Sequence, residues 1–120
     1  MRQYHQANTT TPQRLRALIC KCDGTPITPA DVLTIAYTIQ DMDAGRKSVP
    51  GHTSVLLDRD TAIKTEILTD PETDLTYNFE HVLDITEAPA FPKEANCYRL
   101  NLLVIDRQRI PSVCCLYYRT

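Results

Sequence analysis

A chain of 120 residues is long enough to bury one core without disulfide or metal staples, and too short for two ordinary domains. With 42% hydrophobic and 23% charged residues it reads as globular. A net charge of −2, both signs scattered, offers no extended positive field to a nucleic-acid backbone. Three Gly, no Trp, six Tyr and plentiful β-branched residues favour strands over helices.

The opening MRQYHQANTTTPQ lacks the apolar run of a secretory signal, and nothing downstream approaches the length of a membrane span. The chain is therefore expected in the cytoplasm, where the odd set Cys20, Cys22, Cys97, Cys114 and Cys115 should remain free thiols. Residues 1–13 are polar and without period, which predicts a flexible arm, either loose or docked on a neighbour, ahead of a single β domain over 14–120.

From Arg14 to Cys22 apolar side chains appear on both faces of a predicted strand, broken by Asp23-Gly24. Thr28-Pro29-Ala30-Asp31 has the chemistry of a helix start. Leu33, Ile35, Tyr37 and Ile39 then alternate with Thr34, Ala36, Thr38 and Gln40, so the reading is one turn at 28–31 followed by a strand to about Asp41. A helix over 28–41 is the alternative. A polar connection ends at Pro50-Gly51, and short strands follow around Thr53–Leu57 and Ile63–Ile67, with Asp58–Asp60 turning between them.

After the solvated loop Thr69–Asp74, the residues Leu75, Tyr77, Phe79, His81 and Leu83 line one face of a further strand. Past a Pro-rich corner comes the clearest strand, in which Tyr98, Leu100, Leu102 and Val104 oppose Cys97, Leu103 and Ile105. A strand apolar on both faces is expected inside a sheet and covered on both sides. Ile110 to Arg119 forms the last, with Val113, Cys115 and Tyr117 facing away from Cys114, Leu116 and Tyr118. About seven antiparallel strands and no convincing helix predict an all-β, two-sheet sandwich.

Three sets of reactive residues need weighing. Cys20-x-Cys22 and Cys114-Cys115 lack the knuckle spacing of a zinc site, and neighbouring strand positions point to opposite faces, so buried structural thiols are the preferred reading. None of His5, His52 and His81 accompanies a nucleophile: His52 is read as fixing the turn after Pro50-Gly51, His81 as a half-buried strand residue. Asp41-x-Asp43 and Asp58-x-Asp60 lack a calcium-loop ligand series and are read as solvated turn aspartates. No catalytic, cofactor-binding or metal residue is assigned, and no cofactor is expected.

Phe91-Pro92 followed by Tyr98-Arg99-Leu100 resembles the tyrosine corner of fibronectin type III and other Ig-like modules, in which a tyrosine hydroxyl bonds back to the preceding turn. More broadly, GTPITPADVLTIAYTIQDMDAG, VPGH, YNF and AFP…YRL are similar to small Ig-like proteins of phage and prophage tail regions and to the N-terminal domain of phage baseplate upper proteins. The resemblance implies an Ig-like sandwich and a non-enzymatic virion component of a tail, neck or baseplate. Its partners would be copies of itself and neighbouring virion proteins, met through edge strands and the arm, with no nucleic acid or membrane. A monomeric cytoplasmic adaptor or ligand-binding module is the first alternative, and a small thiol- or metal-dependent enzyme the second.

Overall fold

In the computed structural model, which describes residues 4–120, alternation of apolar and polar side chains produces two sheets laid against one apolar core. The strands are β1 (Tyr4–Gln6), β2 (Arg14–Ala17), β3 (Val32–Asp41), β4 (Lys47–Ser48), β5 (Val55–Leu57), β6 (Ile63–Thr69), β7 (Thr76–Val82), β8 (Cys97–Asp106) and β9 (Pro111–Arg119). One sheet has the order β1-β9-β8-β3-β4, with β5 also pairing β3, and the other has the order β2-β7-β6.

β8 is the interior strand that its pattern predicts, paired along its length with β3 on one side and β9 on the other. Tyr98, Leu100 and Leu102 are fully buried beside Ile35, Tyr37 and Ile39 of β3, and Leu15, Ile63 and Phe79 of the second sheet complete the same core. Burying each such aliphatic or aromatic side chain stabilises the fold by about 1.5–3 kcal/mol. The expectation that β8 is covered on both faces is not met. Leu103 is exposed, because among the described residues the second sheet covers only the other face of the six-stranded sheet.

The turn at 28–31 forms as read. One turn of 3₁₀ helix, Pro29–Asp31, is fastened by the Asp31 carboxylate, which accepts the Thr28 backbone N–H at 2.9 Å and its hydroxyl at 3.0 Å. Those bonds, and the Lys21 ammonium at 3.3 Å, hold the Asp31 carboxyl below the usual carboxylate range. The strand β3 then runs to Asp41 with Ile35, Tyr37 and Ile39 on the core face as expected, but a register shift between Val32 and Thr34 buries Val32 and leaves Leu33, expected on that face, exposed.

Elsewhere the structure corrects the expectation. The arm is not wholly loose: Tyr4–Gln6 pair in parallel with Tyr117–Arg119, Ala7 N–H bonds the Arg119 carbonyl at 2.9 Å, and Ala7 is buried. The first three residues of that arm lie outside the described residues. The sheets are thus not wholly antiparallel, and β1 and β4 raise the strand count above seven. β2 stops at Ala17, and residues 19–27 fold back through a bridge between Cys20 and Pro26 instead of extending the strand to Cys22. Asp58 caps a four-residue helix, α1 (Arg59–Ala62), where a plain turn was expected. Between Ile63 and Leu68, β6 advances five residues while β7 advances two, so the outer strand of the smaller sheet bows away from its partner.

The Pro-rich corner docks on β8 through Tyr98. Its hydroxyl accepts the Lys93 backbone N–H at 2.8 Å, and the Phe91 ring meets the Tyr98 ring edge-on at 5.2 Å between centroids.

Candidate functional site

Side chains of a strand alternate between faces, so the residues of β3, β8 and β9 that do not enter the core form the outer face of the larger sheet. Register decides which of them are neighbours. Leu56 of β5 pairs with Ala36, Ala36 with Leu103, and Leu103 with Val113, which lays an apolar row across four strands. Neighbouring strands are about 4.8 Å apart, so the row is about 15 Å long. Leu56 is 73% and Val113 63% exposed, values that a sheet face covered by its own chain would not leave.

The next rows are polar and bound to one another. Gln40 Oε1 accepts from Arg99 Nη2 at 2.6 Å, from Arg99 Nε at 3.2 Å and from Asn101 Nδ2 at 3.0 Å, and the Cys115 thiol donates to Asn101 Oδ1 at 3.2 Å. A shallow depression of about 470 Å³ lies over this network, bordered by Thr38, Arg99, Asn101, Leu103 and Cys115. The outward positions of β3, β8 and β9 carry no carboxylate, and Arg99 takes part in none of the ion pairs among the described residues. Arg119, on the same face, places its guanidinium 4.6 Å from the centre of the Tyr4 ring. The face is therefore apolar at one end and cationic at the other.

The histidines are placed differently. His52 is buried, with its Nδ1 2.6 Å from the Tyr37 hydroxyl and its Nε2 2.9 Å from the Ala88 carbonyl. A carbonyl only accepts, so Nε2 carries the proton and the Tyr37 hydroxyl donates to Nδ1. Burial, with a smaller push from Asp84, raises the Tyr37 phenol to about 12, so it stays a donor at neutral pH. His52 fixes the turn after Gly51 as its position suggests. Its main-chain carbonyl also accepts Ile39 N–H at 2.8 Å, and the turn is thereby tied to β3.

His81 is half-buried with its ring 5.8 Å from that of Tyr37, and burial pushes its pKa down. It borders an open cleft of about 410 Å³ beside Leu57, Asp58, Ala62 and Lys64, which neither Tyr37 nor His52 enters. His5 packs against Tyr118 at 5.4 Å on the short β1. His52 and His81 thus both lie against the Tyr37 ring, whereas His5 packs on Tyr118.

The thiols are free but not the buried structural groups expected. Cys20, Cys22 and Cys115 are exposed, and only Cys97 and Cys114 are partly covered. Cys20 and Cys22 fall in the fold-back after β2, whereas Cys114 and Cys115 lie on β9 in the other sheet, pointing to opposite faces. Burial raises the Cys114 thiol, which makes it less nucleophilic. Among the described residues no group of three or more His, Cys, Asp and Glu is placed to hold a metal ion.

Both aspartate pairs prove to be turn fasteners, with one correction. Asp41 Oδ1 accepts Asp43 N–H at 3.0 Å and Asp58 Oδ1 accepts Asp60 N–H at 3.1 Å. Asp41, however, is buried instead of solvated, and both its oxygens take bonds from Asn96 Nδ2, at 3.2 and 3.1 Å. Asn78 carried no signal as a buried residue, yet its amide accepts Ile19 N–H and donates to the Ile19 and Ile27 carbonyls, at 2.8, 2.8 and 3.1 Å. Arg16 also escaped notice. It reaches Asp70 at 3.0 Å and Glu80 at 2.6 Å, with its guanidinium 4.6 Å from the Tyr77 ring centre.

Comparison with known proteins finds no matching family model, no matching curated protein and no matching solved structure. Among the described residues no helix is long and apolar enough to cross a membrane. The fold and its open face define a mainly β, two-sheet protein.

Proposed function

We propose that this chain is a non-enzymatic structural module that assembles with copies of itself through the outer face of its larger sheet. The observation that carries the reading is the apolar row Leu56, Ala36, Leu103 and Val113, laid open beside a cationic network. Contiguous exposed apolar surface rimmed by polar groups is the mark of a contact surface, and Arg is among the residues most enriched at such contacts.

An Ig-like sandwich in a phage-type tail, neck or baseplate is the finer form of this proposal. The Tyr98 hydroxyl bonded to the Lys93 main chain supports it, as does the first strand lying parallel to the last. The resemblance of the GTPITPADVLTIAYTIQDMDAG and AFP…YRL stretches points the same way.

Sedimentation velocity combined with hydroxyl-radical footprinting tests the assembly. Between about 1 μM and 1 mM, the range in which weak interfaces form, the sedimentation coefficient should rise as Leu56, Leu103 and Val113 become protected. A chain that stays monomeric throughout, its outer face equally labelled at both ends of the range, would overturn the proposal.

A further inference from the structure

We infer that the partner surface for the outer sheet face is the β6–β7 hairpin tip of a second copy, so that the chain assembles head to tail. This rests on reading the outer face as an assembly surface. The tip, residues 65–76, is exposed at every position but Asp70, and Ile67, Leu68 and Leu75 are among its exposed large apolar side chains.

The tip is also anionic. Glu66, Asp70, Glu72 and Asp74 fall within it, and no Lys or Arg occurs between Lys64 and Lys93. Asp70 is held by Arg16, whereas Glu72 and Asp74 take part in none of the ion pairs among the described residues. Nor does the tip have to be ordered on contact. Asp70 N–H bonds the Leu75 carbonyl and Asp74 N–H the Asp70 carbonyl, each at 2.8 Å, while Asp70 Oδ1 takes Glu72 N–H at 2.9 Å. A projection already folded loses less entropy on docking.

Each surface carries what the other lacks. The outer face has an apolar row and an arginine in none of the ion pairs among the described residues; the tip has apolar side chains and, beyond the Arg16-bound Asp70, the carboxylates of Glu72 and Asp74. One molecule cannot join them, because the tip belongs to the smaller sheet and the outer face of the larger sheet points away from it across the core. Two outer faces meeting about a two-fold axis would leave Arg99 facing a surface with no carboxylate at its outward strand positions. Opposite surfaces meeting head to tail satisfy the charge, and such a contact repeats into a ring or an open filament.

Mixing two disabled chains tests this geometry. Leu103→Asp disables the face and Leu75→Asp the tip, with Arg99→Glu and the pair Glu72→Lys/Asp74→Lys as milder second versions should an aspartate prevent folding, judged by dichroism. Each variant alone should associate at least about tenfold more weakly than wild type, the cost expected for lost apolar or paired charged contacts. Mixed in equal amounts, a face-disabled and a tip-disabled chain should give a heterodimer that grows no further, since only one intact face and one intact tip remain. Joining Arg99→Glu and Asp74→Lys in one chain should restore part of the self-association. If wild type assembles but the mixture stays monomeric, head-to-tail docking is wrong and the outer face as an assembly surface survives. Wild type that stays monomeric to about 1 mM would overturn both.

Discussion

The Tyr37 hydroxyl lies 2.6 Å from Nδ1 of His52, and the other nitrogen of that ring reaches the Ala88 carbonyl 36 residues further along the chain. A strand, a turn and a corner are thus pinned by one imidazole. Tyr37→Phe keeps the ring packing but leaves a buried Nδ1 without its donor, which should cost about 1–3 kcal/mol in urea denaturation. Adding His52→Phe should then cost less than it does in the wild-type background, since the two groups form one unit. Additive losses would show that the bond carries no coupling.

Gly51 sits with φ at +82°, and a methyl group built on it would fall 2.6 Å from the Ala88 Cβ. Gly51→Ala therefore meets both backbone strain and overpacking and should lose about 2–4 kcal/mol. Gly45 is the natural control. Its φ is +69°, but nothing lies within 4 Å of the added carbon, so Gly45→Ala should lose only the strain, about 1 kcal/mol. Equal losses at the two sites would mean that contact with Ala88 is not what demands glycine.

Asn78→Ala removes one acceptor and two donors from three buried main-chain groups, and should destabilise the fold by about 3 kcal/mol or more. Asn78→Asp is more informative. At neutral pH a carboxylate would face the Ile19 and Ile27 carbonyls, whereas protonation at low pH returns one donor. Its deficit relative to wild type should shrink as the pH falls below about 5.

Burial lowers the pKa of His81 below its unfolded value of 6.5. The unfolded chain therefore binds the proton first on acidification. The associated stability is complete above pH 6.5 and is lost as the pH falls towards the folded pKa, with the slope flattening once both states are charged. His81→Gln should flatten the melting temperature against pH in that window. The carboxylates lowered by hydrogen bonds, Asp23, Asp31, Asp70 and Asp84, act at more acidic pH and should leave the window unchanged. A slope equally steep in the variant would place the titrating group elsewhere.

The long strands were legible because their information is local. Tyr98 to Val104 states the core face of β8 in four alternate residues, and Thr28 to Asp31 carries its own turn chemistry. What escaped depends on distant partners. β1 is three residues long and exists through its pairing with β9, and Asn78 is buried only because residues 19–27 fold over it. Cys22 read as strand because it continues the alternation of Leu18 and Cys20, whereas the chain had already turned at Cys20 towards Pro26. The outer-face row could not be seen at all: Leu56 and Val113 are 57 positions apart, and only the register of four strands aligns them.

The bowed backbone of β6 bears on what crowding would do to these molecules. A straight rim of unpaired amides invites further strands to zip on, and three looped-out residues at the margin of the smaller sheet deny it that template. A copy approaching that border is therefore offered side chains and an irregular backbone in place of a straight ladder.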